Sequence, residues 1–149
     1  QHIMRALVDY GYALEMYGEL DKELFNPQTG SCYVEREYPD VNFVIDLIHT
    51  AKGVAVMAHP AQYDNIELLE ELAKNGKIDG VEIGHYSADE SYRKELSAIA
   101  DRYELIRTGG SDFHGVVKPD ISIGTGRGNL KVPEKLLDLI KDYRQAQAN

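Results

Sequence analysis

The chain has 149 residues, 43% of them apolar, enough for one domain with a real core or a piece of one. Its 25 acidic residues against 16 basic ones give a formal charge of −9 with no basic cluster, which argues against an extended nucleic-acid surface but leaves room for a small anionic substrate held through bound cations. The single cysteine, Cys32, excludes an intrachain disulfide and points to a reducing, cytoplasmic setting; no apolar run is long enough to cross a membrane, and no secretory signal is visible. The chain opens on Gln1-His2-Ile3-Met4 rather than on an initiator methionine, as a fragment of a longer protein would.

In chain order, Ile3, Leu7, Leu14, Leu20 and Leu24 fall at broken helical spacing around Gly11 and Gly18, predicting two short helices. Residues 26–40, with Pro27, Gly30 and Pro39, predict a loop or lid with at most a short extended piece over Ser31–Val34. A regular alternation follows: helix over Val41–Lys52, strand over Val54–Ala58, helix over Asn65–Lys74, strand over Gly80–Ile83, helix over Asp89–Tyr103, strand over Glu104–Thr108, and a last helix over Pro133–Tyr143 with proline in its first turn. Strands alternating with helices predict βα units and a parallel sheet, an α/β fold; three such units are too few to close a barrel.

The chemistry concentrates at strand ends. In Gly109-Gly110-Ser111-Asp112-Phe113-His114-Gly115, an extended backbone would turn Asp112 and His114 to one side, where both could reach a metal ion; the same residues beside glycine can equally cap a turn. His59 ends the Val54–Ala58 strand, and Pro60 after it favours an extended His59. It is a candidate partner for Asp112 and His114, or a strand-end histidine bonded to the backbone. His85 and Tyr86 follow the next strand, placed either to touch substrate or support a ligand residue, or to face solvent. Glu82, between two apolar residues, needs a partner if it points inward. His49 reads as structural. The segment Gly124-Thr125-Gly126-Arg127-Gly128 lacks the strand, helix and lysine of a phosphate loop, leaving a turn or a flexible loop that brings Arg127 to a pocket. Ser111 lacks the strand-to-helix elbow of a hydrolase nucleophile.

Taken together, Ala58-His59-Pro60 and Gly110-Ser111-Asp112-Phe113-His114-Gly115 resemble the PHP (polymerase and histidinol phosphatase) family, most closely its TrpH-like phosphoesterase branch. His2-Ile3-x-Arg5-Ala6-Leu7 and the loop Ile123–Leu130 resemble further segments of that branch. The resemblance implies a distorted (β/α)7 barrel, of which this chain would be the C-terminal part: a helical insertion or lid at residues 1–40, then about three βα units at 41–149. It implies two or three divalent ions (manganese, iron or zinc) at the strand ends, and metal-assisted hydrolysis of phosphate esters such as nucleoside 3′,5′-bisphosphates or short oligoribonucleotides. By the same resemblance His59, Asp112 and His114 are metal ligands and catalytic residues, and Arg5, His2, Arg127 and His85 are candidate substrate contacts. The family's N-terminal His-x-His element has no counterpart here. The fragment would therefore need the missing N-terminal half for a complete site, be nearly inactive alone, and tend to self-associate through open sheet edges. Two alternatives stand beside this reading: a phosphatase of the histidinol-phosphate type, and a non-catalytic metal-binding or assembly module.

Overall fold

The computed structural model describes residues 2–147. The chain forms two compact units that divide between Tyr38 and Pro39. The first carries helices α1 (His2–Asp9) and α2 (Glu19–Phe25). Helix α1 buries Met4 on its apolar face, and Gly11, at φ +77°, takes the backbone out of it. After α2 the chain folds back: the Asn26 side-chain oxygen accepts from the amides of Gln28 and Thr29, and the Ser31 and Cys32 amides donate to the carbonyls of Glu23 and Leu24. A side chain at Gly30 would lie 2.6–2.7 Å from the backbone of Asn26 and Leu24, so this return needs glycine. Residues 31–40 then run without helix or strand, so the short extended piece foreseen at Ser31–Val34 forms no strand.

Near the start of the second unit, the Asp40 carboxylate accepts from the amides of Asn42 and Phe43 and so caps α3 (Val41–Thr50). Strand β1 (Val56–Met57), α4 (Ile66–Lys74), β2 (Gly80–Gly84), α5 (Glu90–Arg102), β3 (Ile106–Gly109) and α6 (Lys135–Gln147) follow. The sheet is parallel throughout, in the order β1-β2-β3, with Val56 opposite Gly80 and Gly80 opposite Ile106. Leu69 of α4, Val81 of β2 and Leu96 of α5 are fully buried and form the centre of a core that Ile45, Ile78 and Ile99 extend. Each such side chain stabilises the fold by about 1.5–3 kcal/mol. No described helix is long and apolar enough to cross a membrane.

Of the element boundaries that differ from the expectation, those of β1, β3 and α6 have identifiable reasons. Strand β1 is two residues long instead of five because the Ala55 amide donates to the Asp79 carboxylate, not to a neighbouring strand. That carboxylate also accepts from His49 Nε2 at 2.8 Å and from the Tyr143 hydroxyl at 2.8 Å, which ties α3, the sheet and α6 together and gives His49 the structural role expected of it. Strand β3 starts at Ile106 because Glu104, at φ +54°, turns the chain while the Leu105 amide closes α5 on the Ala100 carbonyl. Helix α6 begins two residues after Pro133, whose carbonyl accepts from the Leu136 amide in the turn before the helix.

Candidate functional site

The C-terminal ends of the three strands carry His59, His85 and the Asp112–His114 segment. His59 lies between β1 and a single 3-10 turn over Pro60–Gln62, with φ +33° and ψ +55°. This corrects the expected extended conformation: although proline disfavours it, His59 is left-handed, a strained geometry that needs support. Glu82 supplies it. From the middle of β2 its Oε2 accepts from the His59 backbone amide at 2.8 Å, so the acid between two apolar residues finds its partner. Burial raises the Glu82 pKa, and the His59 amide only partly offsets that. Gly110 lets this carboxylate pass: a Cβ there would stand 3.1 Å from Glu82 Oε1.

Asp112 is likewise left-handed, at φ +52°, and lies beyond the end of β3. The extended geometry expected for Asp112 and His114 is therefore replaced by a turn, and the turn still brings them together. His114 Nδ1 is 2.7 Å from the Asp112 backbone carbonyl and 3.5 Å from Asp112 Oδ1. A carbonyl only accepts, so Nδ1 carries the proton and Nε2 keeps its lone pair, the arrangement in which histidines ligate metals. Lys118, returned by a 3-10 turn over Gly115–Val117, donates to Asp112 Oδ2. Burial on its own would raise the Asp112 pKa, but the Lys118 ammonium holds it below the usual aspartate value.

His85 has no exposed surface, which excludes the solvent-facing alternative. Its ring centroid is 5.3 Å from that of His59 and 4.3 Å from that of Tyr86, and its Nε2 is 4.0 Å from Asp112 Oδ2. Burial, then the nearby His59, pushes its pKa down and keeps the ring neutral. Arg93 of α5 fixes the segment by donating to the His85 carbonyl at 2.9 Å. Two buried ring nitrogens, His59 Nδ1 and His85 Nε2, have no hydrogen-bond partner.

Arg127 follows a turn closed by a Ser122–Gly126 bridge, donates to Asp120 at 2.8 Å and stacks over the Tyr86 ring at 5.0 Å. Asn129 holds the Tyr86 carbonyl. Arg5 and His2 belong to the first unit, where both are exposed on α1 and Arg5 donates to Asp9 at 2.9 Å. Among the described residues, no three His, Cys, Asp or Glu side chains stand together in a chelating arrangement. The donor chemistry still suits a divalent ion: imidazole beside carboxylate, His114 with Nδ1 engaged so that Nε2 keeps its lone pair, and His59 with an unpaired buried Nδ1. Lys118 and Arg93 are participants that no sequence pattern announced.

No family model matches the chain. Among characterised proteins it is 35% identical over 115 residues to a phosphoribosyl 1,2-cyclic phosphate 1,2-diphosphodiesterase of Eggerthella lenta, which covers 77% of this chain and 43% of that protein. It is 32% identical over 117 residues to the 5′-3′ exoribonuclease Rnm of Escherichia coli (76% and 39%), and 34% identical over 119 residues to a 3′,5′-nucleoside bisphosphate phosphatase of Chromobacterium violaceum (76% and 40%). The chain thus spans about two fifths of the length of these relatives. Among solved structures, a metal-dependent phosphoesterase from Bifidobacterium adolescentis superposes with a TM-score of 0.71 at 29% identity, over 93% of this chain and 48% of that one. An amidohydrolase of Chromobacterium violaceum with bound sulfate gives 0.64 at 25% identity, over 98% of this chain and 50% of that one. The relatives act on different esters but agree in cleaving phosphate esters, and a phosphoesterase shares the fold: over about two fifths of their length, the chain is similar to PHP-domain phosphoesterases.

Proposed function

We propose that this chain contributes to the active centre of a metal-dependent phosphoesterase, with His59, Asp112 and His114 holding a divalent ion, manganese, iron or zinc, at the strand ends. The observation that carries this reading is the Asp112–His114 pair: His114 donates its Nδ1–H to the Asp112 carbonyl, which leaves the ring of a carboxylate's close neighbour with an unprotonated Nε2. Such an ion supplies Lewis-acid polarisation of phosphoryl oxygens. The chain's own residues do the rest. Glu82 holds the His59 turn, Asp112 contributes a hard anionic oxygen, and Arg127, exposed over Tyr86, meets a substrate phosphate by exchanging it for Asp120. Arg5 and His2, exposed on α1 of the first unit, remain candidate substrate contacts, whereas His85, fully buried, is placed to support Asp112 rather than to touch substrate. The substrate class suggested by the relatives is a phosphorylated small molecule or short oligoribonucleotide, with nucleoside 3′,5′-bisphosphates the first to test. We assign residues 1–40 to an insertion or lid and 41–149 to βα units of a distorted (β/α)7 barrel, working in the cytoplasm and prone to self-association at open sheet edges.

One observation favours a second reading. Lys118 already neutralises Asp112, which suits a non-catalytic assembly module in which no ion enters. Mn2+ titration of the 149-residue chain, followed by phosphate release from a nucleoside 3′,5′-bisphosphate, separates the two. Three donors could serve one ion once drawn together, whereas a two-ion clamp on phosphate calls for more. The expected result is therefore weak binding that Asp112→Ala abolishes, together with slow hydrolysis. A chain that binds no divalent ion would leave the assembly module as the better reading.

A further inference from the structure

His85 and His114 both flank Asp112, yet their hydrogen bonds give them opposite tautomers. His114 donates through Nδ1 to a carbonyl. In His85, Nδ1 receives the backbone amide of Ser87 at 3.3 Å, and the Ser87 hydroxyl lies 2.7 Å away. A backbone amide only donates, so His85 Nδ1 is the acceptor and the proton of the neutral ring resides on Nε2. That nitrogen is buried without a partner, 4.0 Å from Asp112 Oδ2. It has no lone pair for a metal. A buried N–H without an acceptor is unfavourable, and the facing carboxylate oxygen needs to approach by only about 1 Å to accept it.

We propose that His85 is a positioning residue for Asp112: its Nε2–H takes carboxylate oxygen Oδ2 when that oxygen leaves Lys118, so that Oδ1 and His114 Nε2 remain as the outward donor atoms. The proposal rests on the metal-site reading above and assigns a role within it. Lys118 and His85 face the same oxygen, one with an ammonium and one with a neutral donor. Transfer of Oδ2 from the first to the second frees the aspartate's negative charge for a divalent ion without leaving either carboxylate oxygen unpaired. The Ser87 contacts and the Arg93 bond to the His85 carbonyl hold the ring in place for this exchange.

The test uses the full 149-residue chain with Zn2+, a diamagnetic ion suited to mixed nitrogen and oxygen donors. Two-bond 15N–1H spectra of the histidine rings read the tautomers directly. We expect His85 to show a protonated Nε2 and a bare Nδ1 with and without Zn2+, and His114 the reverse. Zn2+ affinity is then compared for His85→Gln, which keeps a donor near the Nε2 position, and His85→Phe, which keeps ring size and removes the donor. The expected loss is about 10- to 100-fold for Phe, as for other partners of metal ligands, with binding stoichiometry unchanged and affinity largely retained in Gln. A bare Nε2 on His85, or a shift of that nitrogen on Zn2+ binding, would make it a ligand and overturn the proposal, as would equal affinity in the Phe variant. The spectra need no variant, so misfolding of His85→Phe cannot shield the idea. If the wild-type chain binds no Zn2+ while His85 shows the expected tautomer, the metal-site reading itself has failed and the proposal falls with it.

Discussion

Replacing Glu82 tests how the strand-end geometry is held. Glu82→Ala removes the acceptor of the His59 amide, a bond of 2.8 Å from a half-buried carboxylate. Leaving that N–H without an acceptor costs about 1–3 kcal/mol. Part of this returns if the turn then relaxes, because the left-handed conformation at His59 (φ +33°) costs about 1–2 kcal/mol. The net expectation is a loss of about 1–2 kcal/mol, with His59 released from its place. Glu82→Gln keeps a carbonyl acceptor and removes the buried charge, so its stability should stay within about 0.5 kcal/mol of wild type at neutral pH. The two also differ in pH dependence. Burial raises the folded-state pKa of Glu82 above 4.5, so its protonated form favours folding. That contribution is present below pH 4.5 and is lost as pH rises through the raised value; Glu82→Gln should lack this slope. Urea unfolding followed by far-UV circular dichroism, repeated from pH 4.5 upward, reads both effects. If Ala matches wild type, or if Gln is as damaging as Ala, the amide anchor is not what holds His59.

Lys118→Met should expose the other charge at the site. The Asp112 carboxylate titrates below 3.8 in the fold, so its stabilisation is present above pH 3.8 and lost as pH falls through the depressed value. Without the ammonium, acid unfolding should begin at higher pH, and stability at pH 7 should fall by about 1–3 kcal/mol, as an acid titration of the circular dichroism signal would show. Leu96→Ala, at a position with no exposed surface, should cost about 2–5 kcal/mol in the same urea assay. Glu104→Gly relieves a left-handed residue but adds freedom to the unfolded chain; the two terms are each about 1 kcal/mol and oppose, so the midpoint should move little.

The parts of the fold that were legible beforehand are those set by local chemistry. Helices α4 and α5 follow from apolar spacing, and the register of Asp112 and His114 with the strand ends follows from βα alternation. The parts that were not depend on contacts between distant residues. Nothing around Ala55 shows that its amide will pair with the side chain of Asp79, 24 positions later, and so cut β1 to two residues. The rule that a residue before proline is extended fails at His59 because Glu82, 23 positions on, binds its amide. Lys118 belongs to the site only because a 3-10 turn returns it to Asp112. A histidine's tautomer is equally illegible in sequence: His85 and His114 are the same residue type, and only an amide facing one and a carbonyl facing the other give them different chemistry.

Apart from Asp64, in the turn before α4, the left-handed residues other than glycine fall into two uses of one conformation. Lys52 and Glu104 follow α3 and α5 and occupy positions where helices commonly take glycine, so their strain belongs to chain reversal. His59 and Asp112 follow strands, where a parallel sheet has no need of a left-handed residue, and both are candidate ligands. In each case the strain is held by a contact made nearby: the Glu82 carboxylate on the His59 amide, and the His114 ring on the Asp112 carbonyl. An unstrained extended exit would carry the two side chains onward along their strands. The left-handed exit turns each chain abruptly while Glu82 and His114 fix where it turns, and strain that the surroundings over-determine in this way is characteristic of sites kept for chemistry at some expense of stability.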